Sequence, residues 1–122
     1  FIFSVLTVLS KVEFGLAAGF DKDARGPDAL VALGQPSLID ALKVGCLIEE
    51  KDIIDIEDKK QQVLDEPDIV RVYDNLLCGS RNHLRAFNQA LVTAGGVYDQ
   101  PQFLSLAEWT AIADSAQERC GN

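Results

Sequence analysis

The sequence predicts an all-α domain: an antiparallel pair of long amphipathic helices followed by one short helix. Three observations carry that expectation. Apolar residues recur at helical spacing on both sides of residue 65, a turn of four residues containing a proline separates the two runs, and a capping box opens a further apolar stretch near residue 105.

The first long helix begins at Ser37, with Asp40 three residues on as an acidic variant of the capping box. Leu38, Ala41, Leu42, Gly45, Ile48, Glu49, Asp52 and Ile56 then fall on one face, two acids interrupting the stripe. The pattern continues to Leu64, where Asp65-Glu66-Pro67-Asp68 supplies a stop, a new cap and a first-turn proline. The second helix runs from Pro67 to Thr93, with Val70, Tyr73, Leu77, Ser80, His83 or Leu84, Phe87 and Leu91 inward, and Gly95-Gly96 ends it. At 1.5 Å per residue each helix spans about 40 Å, and so short a link permits only an antiparallel hairpin. Pro101, Gln102 and Phe103 form an extended strap into the third helix, which Ser105 and Glu108 cap and Trp109, Ile112 and Ala113 continue.

Residues 1–34 read differently. Phe1 to Ser10 is apolar but only about half the ~20 residues that cross a bilayer, and it fits a packing segment better than a signal peptide. A first residue other than Met suggests a trimmed chain or a fragment. Glycines 15, 19, 26 and 34 with Pro27 and Pro36 then break any long period, leaving turns around a short helix near Pro27 to Leu33. The expected organisation is an N-terminal segment, 1–34, of separate origin and a helical domain, 35–122.

Nineteen acids against eleven bases give a net charge of −8, which repels nucleic acid and anionic membranes. The expected setting is soluble, with the cytoplasm favoured. Cys46, Cys78 and Cys120 lie far apart without a CxxC pair, so spacing supports no zinc motif. Their odd number favours buried or free thiols over a bridge, although Cys46 and Cys78 fall on helices expected to be neighbours.

Several words resemble a ferritin-like family catalogued as domain of unknown function 2202: Ser37 to Gly45, Leu47 to Ile53, Val72 to Leu77 and Gly79 to Phe87, with Tyr98, Pro101-Gln102 and Leu104-Ser105 of the tail. The resemblance implies the second half of a ferritin-like four-helix bundle, completed by dimerisation. It also implies metal chemistry, because such bundles aim carboxylates and Glu-x-x-His pairs inward to hold metal ions. Glu49 and His83 match such positions, with Glu50 as the alternative if the helix is rotated. Where a ferritin carries Glu-x-x-His on its last helix, this chain carries Ser80-Arg-Asn-His83. Residues 13–34, through Glu13 to Ala24 and Pro27 to Gly34, instead resemble the start of a dihydroorotate dehydrogenase barrel. A barrel needs about 250 residues, so FMN binding by Ala18, Gly19 and Lys22 is not expected, and the chain reads as a chimera of two gene pieces.

Six acids and one lysine occupy residues 49–58, and most must be solvated, since buried unpaired carboxylates are costly. Glu49, Asp52 and His83 are therefore the candidate ligands for iron or another divalent metal at a site shared between subunits of a homodimer. Without metal, Arg81 or Arg85 would be the counter-charge to these acids. Ser80 beside His83 lacks an orienting acid and an oxyanion hole, so no catalytic residue is assigned and the chain is not read as an enzyme. Two classes stay open: a metal-binding bundle, and a structural or interaction domain in which the same residues form polar core contacts. An FMN-dependent fragment is the remote third.

Overall fold

A computed structural model describes residues 32–34 and 37–121 of the chain. The expected apolar start, the short helix near residue 30 up to position 31, and the FMN-like word with Ala18, Gly19 and Lys22 lie outside the described residues. A helical stretch at 32–34 leads to α1 (Leu38–Gln61), α2 (Pro67–Thr93) and α3 (Leu106–Ala113).

Each boundary has a local cause. Ser37 Oγ accepts from the Asp40 amide at 3.0 Å, satisfying a first-turn donor, and Asp40 and the terminal Lys59 and Lys60 match the helix dipole. α1 stops at Gln61, three residues before the predicted Leu64, because Gln62 and Val63 turn back onto the Lys59 and Lys60 carbonyls. Pro67 then occupies the first turn of α2, where no helical N–H is needed. Gly95 follows α2 with φ 90°, the left-handed conformation that lets the chain reverse. The capping box on α3 is complete, with Ser105 and Glu108 each bonded to the other's backbone.

α1 and α2 form the expected hairpin, drawn close where Gly45 faces Phe87. A Cβ at position 45 would lie 2.7 Å from the Phe87 ring. The core comprises Leu42, Cys46, Ile53, Leu77, Leu84, Phe87 and Leu91 of the hairpin with Leu104 and Trp109 beyond it. Leu84, with no exposed surface, takes the inward position left open between it and His83.

The expected half-bundle completed by dimerisation is overturned. Four helical segments among the described residues pack within one chain, and Leu42, Cys46, Leu84 and Leu91 have no exposed surface without any second copy. Every residue from Ala41 to Glu50 except Lys43 is buried, so α1 is enclosed on nearly all sides and not on one stripe. The physical reason is the strap. Residues 97–105 are tied back to α1 through Glu50, and Leu104 of this strap with Trp109 of α3 joins the core that a second copy was expected to complete. Burial of a large side chain is worth roughly 1.5–3 kcal/mol, and the chain itself collects that gain.

Candidate functional site

Two adjacent acids of α1 are buried, Glu49 at 3% and Glu50 at 0% exposure. Glu50 holds the strap. Its Oε1 accepts from the amides of Gln102, Phe103 and Leu104, each at 3.0 Å, and its Oε2 accepts from the Tyr98 hydroxyl. Three consecutive backbone N–H groups converging on one oxygen make an anion-binding nest. Here the anion is the chain's own side chain. Tyr98 in turn lies 5.4 Å from Trp109, centroid to centroid, so the clamp and the core share a ring contact.

Glu49 is different. Its Oε1 lies 3.4 Å from His83 Nδ1 on α2, and its Oε2 is buried without a hydrogen-bond partner among the described residues. Asp52, one turn along and half-buried, is pushed up to about 7, first by burial, then by the Glu49 and Asp55 charges, against the pull of His83 and Lys51. Glu49, Asp52 and His83 thus act on one another across the hairpin of one chain, and not between two subunits as expected from the sequence. His83 leaves 58% of its side chain exposed and opens the cluster to solvent. Among the described residues, no group of three or more His, Cys, Asp or Glu side chains is placed to hold a metal ion. Carboxylates and an imidazole are the right donor types for a divalent ion, but only Glu49 and His83 are in contact here, with Asp52 one turn away.

The remaining candidates resolve plainly. Arg81 and Arg85 do not answer the acids of α1: both bind Glu118 of the C-terminal tail, at 2.7 Å each. Glu118 is accordingly lowered to about 2, chiefly by its Arg81 hydrogen bonds, with Arg85 adding to the effect. Ser80 is buried on the inward face of α2. Cys78 and Cys120 form a disulfide, correcting the expectation of free thiols, while Cys46 stays free and its thiol is pushed up to about 12 by burial and the nearby Glu50 and Glu49. The sequence missed the Glu50 clamp. The signal available was a second acid directly after Glu49 on a helix otherwise apolar there.

These features define an all-α bundle with two unequal buried carboxylates, one bonded and one open toward an imidazole. The chain belongs to the family described as an uncharacterized protein domain (DUF2202), which matches residues 21–116. It is 48% identical over 90 residues to the uncharacterized protein MJ0754 of Methanocaldococcus jannaschii, an overlap of 74% of this chain and 48% of that protein. The crystal structure of hypothetical protein MJ0754 from Methanococcus jannaschii superimposes with a TM-score of 0.70 at 44% identity, covering 75% of this chain and 51% of that one. The chain therefore spans about half the length of the relative it matches. None of the helices among the described residues is long and apolar enough to cross a membrane.

Proposed function

We propose that this chain is a metal-binding helical-bundle protein, with Glu49, Asp52 and His83 contributing ligands to iron or another divalent ion. The reading rests on one observation above the rest: a buried Glu49 oxygen without a hydrogen-bond partner among the described residues, beside the His83 imidazole. Such an orphan costs about 1–3 kcal/mol, a cost that a bound cation would offset. The resemblance of the sequence to ferritin-like bundles supports the same assignment. Glu49 and His83 come from two helices of the same chain, so no second subunit is needed to bring them together. No turnover is assigned to it, and FMN has no place in it.

A structural or interaction role without metal is the second reading, and a specific observation favours it: no group of three or more His, Cys, Asp or Glu side chains among the described residues is placed to hold a metal ion. Metal analysis separates the two. Protein loaded with ferrous, manganous or zinc ion and desalted should retain one of them stoichiometrically, and Glu49→Gln and His83→Ala should each lose it. Retention by neither the parent nor the variants, or equal retention by all three, would leave the structural role.

A further inference from the structure

We propose that the Cys78–Cys120 disulfide and the Glu118 clamp form a two-part redox latch that fixes the C-terminal tail onto α2. The tail returns to α2 after α3 and is held there through the end of α3, Ser115 and Glu118. Arg85 Nε donates to the Ile112 carbonyl at 3.0 Å and its Nη2 to Ser115 Oγ at 2.8 Å. Glu118 takes hydrogen bonds from Arg81 Nε and Nη2 and from Arg85 Nη2, each at 2.7 Å. Asn82 grips the same residue's backbone at both ends, donating to its carbonyl at 2.8 Å and accepting from its amide at 2.9 Å. Beyond these, the tail is tied covalently to Cys78, 42 positions earlier.

The two parts respond to different conditions. Glu118 keeps 34% of its side chain exposed and Arg81 30%, so their attraction is screened by salt. The disulfide is indifferent to salt but sensitive to thiols, and its two sulfurs are unequal, with Cys120 exposed and Cys78 buried. A dithiol reductant attacks the Cys120 sulfur, the S–S bond breaks and Cys78 departs as a thiolate that takes up a proton. The reductant's second thiol then resolves the mixed disulfide, so Cys120 also ends as a thiol and the reductant leaves oxidised to its own disulfide. With the bond closed, the tail stays seated at any ionic strength. With it open, the contacts of Arg81, Asn82 and Arg85 remain, and the ion pairs among them weaken as salt rises. Release of the tail removes Ser115 and Gln117 from the wall of a cavity of about 400 Å³ that they share with Asn82, Arg85, Ala86 and Gln89.

Hydrogen exchange at the Glu118 amide, followed by NMR on the whole chain, tests the latch. The oxidised protein should show the same protection at low and high salt. After dithiol reduction, or in Cys120→Ser without reductant, protection should fall roughly tenfold or more between the two salt concentrations, and Glu118→Gln in the reduced protein should lose it already at low salt. Two results would overturn the proposal: undiminished protection in the reduced protein at high salt, or alkylation of Cys78 and Cys120 in protein never exposed to reductant.

Discussion

Glu49 and Glu50 are consecutive residues of one helix, both withdrawn from water, yet they meet opposite surroundings. Glu50 points toward the strap and finds a donor for each oxygen, while Glu49 points toward α2 and keeps one oxygen unanswered among the described residues. About 100° of rotation separates successive side chains on a helix, and here that turn divides a stabilising contact from a destabilising one. A buried polar group strengthens a fold only where its partners are already in place. Natural chains tolerate the opposite arrangement mainly where it serves binding or catalysis.

Replacing each acid by leucine should break the symmetry of the pair most visibly. Glu50→Leu strips acceptors from the Gln102, Phe103 and Leu104 amides and from Tyr98 at once, and should lower unfolding free energy by about 3 kcal/mol or more in urea denaturation. Glu49→Leu should act in the other direction, raising the stability of the metal-free protein by roughly 1–2 kcal/mol while abolishing metal retention. If both variants lose stability equally, the two environments are not as different as their hydrogen bonds indicate. Tyr98→Phe removes a single donor from the Glu50 clamp and should cost about 1 kcal/mol.

The smallest effect expected is a matter of pH. Asp52 titrates near 7 in the fold against an ordinary value of 3.8, so the folded state binds its proton more tightly than the unfolded chain does. Its contribution to stability is therefore fully present below about pH 4 and is lost as pH rises toward 7. Glu118 runs the other way in a lower window: its contribution is present above 4.5 and lost as pH falls toward 2. Asp52→Asn should flatten the metal-free stability profile between pH 4 and 7 and leave the acid limb unchanged. A profile that keeps its slope in that variant would place the titrating group elsewhere.

Much of this architecture could be read from residue order, because its determinants are local. Ser37, Pro67, Gly95 and the Ser105–Glu108 box each act within a few residues of themselves, and the 3.6-residue period placed Leu77 and Leu91 inward while leaving Leu84 and His83 as alternatives. Glu49 and His83 were singled out only through the family resemblance, and for a site between two subunits; that they meet across the hairpin of one chain was not foreseen. What resisted reading was contact at long range. The nest for Glu50 is made of backbone amides more than fifty positions away, and backbone amides carry no side-chain signature. With three cysteines, composition could not say which pair would bond, and Arg81 offered no sign that its acid lay in the tail. The error about dimerisation followed from the same blindness: a hairpin considered without its strap looks half-naked.

The chain contains one tryptophan, and it sits at the junction just described, buried beside Tyr98. Its indole N–H lacks a hydrogen-bond partner among the described residues, which leaves the chromophore in a dry, weakly polar environment. The protein thus carries an intrinsic optical gauge: loosening the segment over α1 wets the indole and moves its emission to longer wavelength, so docking of that segment can be followed in unlabelled material, in real time.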